Sequence, residues 1–326
     1  MAFHRRKLLG MGVLALALAA TGAPSFAQAF PNKPVTLIVP FAPGGNTDMV
    51  ARTAGAALQR VLGQSVIIEN RAGGGGSIGA NIVARAPADG YTLLVAGGGV
   101  VAVLPEMIKT PFKLESFAPL TMINKSSMVL VARKKETKFK DFNDLAAYAR
   151  SAQGKLTAAH SGPGTPNQLA LLQLEDLLKA KFTVVSYKGA GPALVDVIGG
   201  QVDVLFDQIT SSSQHIKAGS LQALAVLGPS RDAAVADVAT VSELGYGKID
   251  GTTYLGILAP AGTPKDIQDK LVAAWQQATK DPQLIAAVRD MGSLPIASSG
   301  PEFEKQLRFE QELAVSAVKE GRLKVD

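Results

Sequence analysis

Short, mostly apolar runs alternate along the chain with longer stretches in which apolar residues recur every three or four positions. The runs at 35–40, 66–69 and 91–96 have the length and branched content of buried strands. Residues 47–62 set Met49, Val50, Ala54, Ala57, Leu58 and Val61 at helical spacing, and a second helix is predicted over 77–85, after the glycine loop 71–76. The alternation returns with strands at 156–159, 183–186 and 202–206, followed by helices over 167–178, up to 198 and up to 218. Strand, loop and helix in this order predict parallel sheets with right-handed crossovers. Two such groups, neither a repeat of the other, predict an α/β fold of two lobes, each a mostly parallel sheet flanked by helices. Extended apolar segments at 120–131 and 253–260 are the expected crossings between lobes, and helices at 264–280, 282–291 and 301–319 are expected to return to the first. The division predicted is 30–125 with 255–326 for lobe 1 and 126–254 for lobe 2. Its cleft lies at the C-terminal ends of the strands, where such sheets bind ligands.

The N-terminus breaks this pattern. Arg5, Arg6 and Lys7 precede an apolar stretch at 8–20 that is too short to span a bilayer, and residues 21–29 are small and turn-rich. This is an export signal, with cleavage expected after Ala27 or Ala29; His4-Arg5-Arg6-Lys7 also resembles a loose twin-arginine signal, and both export routes stay open. After Pro31 no apolar stretch reaches the length of a membrane span, so the mature protein is expected to be soluble outside the cytoplasm.

Composition narrows the chemistry. The 326 residues contain no Cys, which excludes thiol nucleophiles, Cys-ligated zinc, iron–sulfur clusters, disulfides and lipid attachment. The formal charge of +6 falls to +3 without the three basic residues of the signal, and the densest basic run, 133–140, is interrupted by Glu136. That excludes nucleic acid as the main partner.

Several motifs that look catalytic fail on their context. Gly74-Gly75-Gly76-Ser77-Ile78-Gly79 spells a dinucleotide fingerprint, but the next strand runs into Gly97-Gly98-Gly99 instead of an acid that would hold a ribose. The same segment spells the elbow of a serine hydrolase, yet only His160 and His215 are available as bases after the signal, and Ser77 reads better as a helix cap. His160 ends a strand beside a turn, and His215 sits near a helix end; neither has metal-ligand spacing to a second His or acid. No metal and no cofactor are expected.

What remains is four strand-end loops rich in small residues, at 41–48, 97–101, 161–167 and 188–191. Their glycines leave backbone N–H groups uncovered, and three open into helices whose N-termini bind carboxylates without a charged side chain.

Pro40-Phe41-Ala42-Pro43-Gly44-Gly45-Asn46-Thr47-Asp48, Glu69-Asn70-Arg71-Ala72-Gly73-Gly74-Gly75-Gly76-Ser77-Ile78-Gly79-Ala80, Asp89-Gly90-Tyr91-Thr92-Leu93-Leu94, Tyr187-Lys188-Gly189-Ala190-Gly191-Pro192 and Leu258-Ala259-Pro260-Ala261-Gly262-Thr263-Pro264 together resemble the Bug family, the extracytoplasmic solute receptors of tripartite tricarboxylate transporters. The resemblance covers essentially the whole chain after the signal. It implies a type II-like periplasmic-binding-protein architecture, a monomer that closes on a small carboxylate, and delivery to the membrane permease subunits of such a transporter. From lobe 1 it implies ligand contacts at Phe41, Gly44, Gly45, Thr47 and Asp48, with Gly98 and Gly99 after the third strand. From lobe 2 it implies Gly164, Thr165 and Asn167, then Lys188, Gly189 and Ala190, and Asp207, while Tyr254 is expected beside the body of the ligand. A receptor that presents its closed form to a membrane sensor kinase is an alternative, and an exported serine hydrolase a more distant one.

This chain departs from its relatives where they carry Thr, Ser or His, having Gly97, Gly98, Val100 and Val101. It has Tyr254-Leu255-Gly256 where they carry Trp-Phe-Gly or Trp-Tyr-Gly, and Asn167-Gln168 in a segment that often bears hydroxyls and His. The expectation is a more apolar wall, and a preference for a carboxylate with an aliphatic or aromatic body over citrate or aspartate.

Overall fold

The computed structural model describes residues 30–135, 138–321 and 323; the export-signal reading of residues 1–29 lies outside them. In chain order the elements of the first part are β1 (Val35–Val39), α1 (Asn46–Leu62), β2 (Val66–Asn70), α2 (Ser77–Ala84), β3 (Thr92–Ala96), a π-helical turn (Gly99–Val103) that runs into α3 (Leu104–Met107), and β4 (Phe117–Ser126). The middle contains β5 (Met128–Arg133), α4 (Phe142–Ser151), β6 (Thr157–His160), α5 (Pro166–Leu178), β7 (Thr183–Ser186), α6 (Ala190–Gly199), β8 (Val204–Gln208), α7 (Ile209–Lys217) and β9 (Leu221–Val226). The chain then returns through β10 (Thr253–Pro260), α8 (Lys265–Ala278), α9 (Pro282–Asp290), β11 (Leu294–Pro295) and α10 (Gly300–Lys319).

These strands form two sheets, ordered β11-β4-β10-β3-β1-β2 and β7-β6-β8-β5-β9. The strand-and-helix alternation accounts for the parallel half of each: β1 pairs parallel with β2 and β3, and β6 with β7 and β8. The other half is antiparallel, made by β10 against β3 and β4, and by β5 against β8 and β9. Each lobe is therefore a mixed sheet. Apolar runs without helical period carry no information on strand direction, so periodicity alone left β4, β5 and β10 undirected.

Each sheet is covered on its faces by its own core. In the first lobe Ile38, Leu94 and Leu258 pack against Phe303 and Leu307 of α10; in the second, Leu130, Phe206, Leu171 and Leu174 form one side and Val129, Leu205, Val197 and Ile209 the other. The last three helices return to the first lobe, where the Trp275 indole N–H of α8 donates to the Ile296 carbonyl at 2.8 Å. The start of α10 is secured by a capping box, with Glu302 Oε2 accepting from the Ser299 N–H at 2.7 Å and Ser299 Oγ accepting from the Glu302 N–H at 3.3 Å.

The crossings are much shorter than the apolar segments that suggested them. Residues 120–126 belong to β4 and 128–131 to β5, so the first crossing is confined to Ser127, and β10 lies wholly in the first sheet, so the second crossing precedes it. The two connections run side by side. The Met128 N–H donates to the Gly251 carbonyl at 3.2 Å, the Gly251 N–H to the Leu227 carbonyl at 2.7 Å, and Thr253 Oγ1 to the Ser126 carbonyl at 3.1 Å.

Candidate ligand-binding cleft

The loops at the strand ends of both lobes meet over a narrow cleft. Lobe 1 supplies Phe41, Gly45, Asn46 and Thr47 from the entry to α1, and Gly97, Gly98, Gly99 and Val100 after β3. Lobe 2 supplies Ser161, Thr165, Pro166 and Asn167 at the entry to α5, Ala190 at the start of α6, and Gln208 at the end of β8. Thr252 to Leu255 and Glu310 complete the lining.

Around this cleft the lobes interlock through backbone. The Ala42 N–H donates across to the Lys188 carbonyl at 3.0 Å. A Cβ placed on Gly191 would lie 1.9 Å from the Pro43 carbonyl oxygen, and one on Gly45 would lie 3.2 Å from the Ala190 Cβ. Glycine is needed at 191 because the opposite lobe comes this close, not because of an unusual φ. At Gly189 both demands coincide: φ is +141°, and a Cβ would stand 3.0 Å from the Ala42 nitrogen. The two sets of loops are in direct backbone contact.

The entry to α1 is left uncapped toward the cleft. Gly45 occupies the cap position with no side-chain cap, so the first N–H groups of the helix, on Asn46 and Thr47, have no preceding carbonyl to bond. Asp48 lies behind them and does not border the cleft. Its carboxylate accepts from the Gly44 N–H at 3.0 Å, from Arg52 Nε at 3.0 Å and from Asn70 Nδ2 at 2.9 Å, and Asn70 also donates to the Phe41 carbonyl at 3.0 Å. Burial alone pushes Asp48 up, but these donors and the Arg52 charge outweigh it and hold the carboxyl below its usual range. Asp48 thus positions the loop that carries Phe41 and Gly44. The α6 entry is similarly uncapped at Gly189.

The floor on the lobe 2 side is a closed amide pair. Asn167 Nδ2 donates to the Phe206 carbonyl at 2.7 Å, and Gln208 Nε2 donates to Asn167 Oδ1 at 3.1 Å. The Thr165 hydroxyl is spent within its own turn, donating to the Gly162 carbonyl at 2.6 Å.

Six residues expected at the ligand stand outside the lining: Gly44, Asp48, Gly164, Lys188, Gly189 and Asp207. The Lys188 side chain is exposed, and only its carbonyl serves the cleft, through the bond to Ala42. Gly164 packs on Leu104. Asp207 is fully buried under the start of α7, where Ser211 Oγ and Ser212 Oγ donate to its Oδ2 at 2.8 and 2.6 Å, while Oδ1 has no partner. Burial pushes its pKa up to about 6 against those hydrogen bonds.

Conversely, Asn46, Gln208 and Glu310 border the cleft without having been singled out. Glu310 reaches it from α10, where Phe303, Leu307 and Ala314 mark the buried face and 310 falls on that same stripe. An acid at an apolar position of an amphipathic helix was the available signal. Gln306 Nε2 donates to its Oε1 at 2.8 Å, and burial pushes the Glu310 carboxyl above its ordinary range against that bond. The carboxylate fills the space beside Gly98, where an added Cβ would lie 2.0 Å from Oε2. The apolar wall expected at 97–101 is therefore interrupted by an acid, and Val101 lies in the core rather than on the cleft. Gly97 is set by its neighbour strand, since a Cβ there would meet the Tyr254 carbonyl oxygen at 2.3 Å. Tyr254 itself borders the cleft.

The hydrolase reading finds no support in these positions. Ser77 does not border the cleft, and it is the first residue of α2, with Gly76 rather than Ser77 at the cap. The buried His160 ring has Nδ1 3.0 Å from the Gly162 carbonyl and 3.2 Å from the Gly162 N–H, and burial lowers its pKa. His215 lies in the last turn of α7. Among the described residues no group of three His, Asp or Glu side chains is placed to hold a metal ion, and no helix is long and apolar enough to cross a membrane.

A family model described as the tripartite tricarboxylate transporter family receptor matches residues 50–318. The chain is 38% identical over 290 residues, 87% of this chain and 83% of the other, to the UPF0065 protein in the TAR-I ttuE-ttuC' intergenic region of Agrobacterium vitis. It is 34% identical over 296 residues, 90% of each chain, to protein BugT of Bordetella pertussis. Among solved structures, one described as a periplasmic transporter superposes with a TM-score of 0.87 at 36% identity, covering 91% of this chain and 100% of that one. MatC from Rhodopseudomonas palustris with bound malate gives 0.84 at 33% identity, with 89% and 100% covered, and R. palustris Rpa4515 with adipate gives 0.85 at 29%, with 89% and 97% covered. With uncapped helix entries from two lobes closing over one cleft, and with family and neighbours that are binding proteins and not enzymes, this chain belongs to the tripartite tricarboxylate transporter receptor family, the Bug-type periplasmic solute-binding proteins.

Proposed function

We propose that the protein, exported by its N-terminal segment, captures a small carboxylate in the periplasm by closure of two lobes and delivers it to the permease of a tripartite tricarboxylate-type transporter. The lobes are taken as 30–125 with 255–326 and 126–254, turning about Ser127 and the residues just before β10. The observation that carries the reading is the convergence of two uncapped helix entries, at Asn46 and Ala190, on a cleft bordered by no Lys, Arg or His among the described residues. Backbone N–H groups and the positive ends of α1 and α6 then supply the attraction for an anion. The malate and adipate held by the R. palustris neighbours are ligands of this class. Phe41, Gly45 and Thr47 act from one lobe, Thr165, Asn167 and Ala190 from the other, and Gly98, Gly99 and Tyr254 bound the ligand's body.

The test is a thermal-shift screen over mono- and dicarboxylates, malate and adipate included, followed by calorimetry. A ligand that binds only the folded state raises the melting temperature with its concentration, by about 2.7 kcal/mol of added stability at a hundred times Kd. A screen in which no carboxylate shifts the transition would overturn the reading.

A further inference from the structure

We infer that the ligand is a carboxylate that also carries an ammonium group, and that Glu310 is the specificity-determining residue that receives it. The inference rests on the receptor reading and names the substrate class of that same cleft.

Glu310 arrives where a strand-end loop would otherwise present a side chain. Gly98 has none, and the space is taken by the carboxylate of α10: a Cβ on Gly98 would sit 2.0 Å from Oε2 and 2.6 Å from Cδ. Oε1 is held by Gln306 Nε2 at 2.8 Å, while Oε2 has no hydrogen-bond partner among the described residues. The group is anchored on one oxygen and open on the other. Gln306 presents a donor to it, the arrangement that suits an ionised carboxylate.

Charge decides what belongs beside it. Glu310 is the one acid in the lining, and no Lys, Arg or His borders the cleft among the described residues. The helix entries at Asn46 and Ala190 are suited to a single carboxylate. A plain carboxylate closed into this space would meet either a second negative charge at short range with water excluded or a Glu310 that must stay protonated, and neither arrangement uses the acid as an ion partner. An aminocarboxylate places its anion on the helix entries and its cation on Oε2, so that every charge in the closed cleft has an opposite. Burial, which drives Glu310 toward its neutral form in the empty cleft, is offset once an ammonium lies against it.

The experiment is calorimetry of the purified exported protein against length-matched probes: butanoate, 4-hydroxybutanoate, 2-aminobutanoate, 4-aminobutanoate and succinate, the five-carbon series built the same way, and malate and adipate. The expected result is that one amino member binds at least about tenfold more tightly than its parent acid and its dicarboxylate, the change that loss of a desolvated charge partner produces at the low end. Glu310→Gln should cut that preference to less than about threefold while leaving the melting temperature of the empty protein near wild type, and Gly98→Ala, whose backbone φ of −60° accepts a side chain, should do the same by displacing the carboxylate. A wild-type protein that prefers parent acids or dicarboxylates over every amino member overturns this inference and leaves the receptor reading standing. So does an amino preference unchanged in Glu310→Gln. Silence from every probe overturns both.

Discussion

At Asp48 and Asp207 two buried acids with opposite surroundings do different work. Asp48 collects three donors and ties the 41–44 segment to α1 and to β2. Replacing it by Asn removes the charge that those donors complement, and hydrogen bonds to a charged group are worth about 1.5–3 kcal/mol each at most. Asp48→Asn is therefore expected to lower stability by about 1–3 kcal/mol in urea melts and to weaken carboxylate binding several-fold, because Gly44 and Phe41 lose their anchor. Asp207 is instead raised, to about 6, by burial. Its unfolded counterpart ionises first, near the ordinary value of 3.8, so between these values the folded state binds more protons and stability falls as pH rises. The expected loss from this group across that window is up to about 3 kcal/mol. The measurement is the difference between wild type and Asp207→Asn from pH 4 to 7, in which the opposite contribution of buried His160 cancels. A difference that does not change with pH would show that Asp207 ionises alike in both states.

At the scale of elements, the entries to α1 and α6 face each other at distances that leave no room for one methyl group. Gly191 is already helical, so Gly191→Ala stabilises α6 locally by up to about 1 kcal/mol, yet its Cβ would overlap the Pro43 carbonyl. We expect this variant to melt no lower than wild type while losing most of its ligand affinity, because the cost falls on the closed state alone. Gly45→Val acts the same way: its Cβ points at Ala190 of the opposite lobe, so it opposes closure as well as crowding the anion. Helices and parallel strands were legible here because amphipathic period and glycine turns are local. The antiparallel strands were not, since β4, β5 and β10 read as featureless apolar runs whose direction depends on partners far along the chain. The short helix α4 and the strand β9 were missed with them. Glu310 could have been noticed as an acid on the 303, 307 and 314 stripe, but nothing local to α10 says that this stripe ends at the cleft between the lobes.

For the molecule as a whole, two kinds of contact bridge the lobes, and magnitude separates them. Away from the glycine loops, Lys217 Nζ and Gln214 Nε2 of α7 bond the Asp290 carboxylate of α9 at 2.9 and 3.0 Å, with both side chains of the ion pair largely exposed. Exposed pairs of this kind contribute little, so Asp290→Ala is expected to change ligand affinity by no more than about fivefold. Gly191→Ala should change it far more. Small-angle scattering should show wild type and Asp290→Ala compacting on addition of a carboxylate that binds, and Gly191→Ala remaining extended; compaction of all three alike would mean that the backbone approach at Gly191 does not govern closure.

The sequence by itself determined the strand-and-helix units and the four glycine-rich strand ends, because each depends on local spacing, and the recurrence of those units gave the two-lobed plan. Only the tertiary structure decided which of those residues face the cleft. It moved Asp48 and Asp207 behind the lining, turned Lys188 outward, reduced the crossings to Ser127 and the stretch before β10, and carried Glu310 from the last helix into the space beside Gly98. A side chain's environment is set by the elements that pack on it, and for Gly98 and Glu310 those elements are separated by the whole of the second lobe.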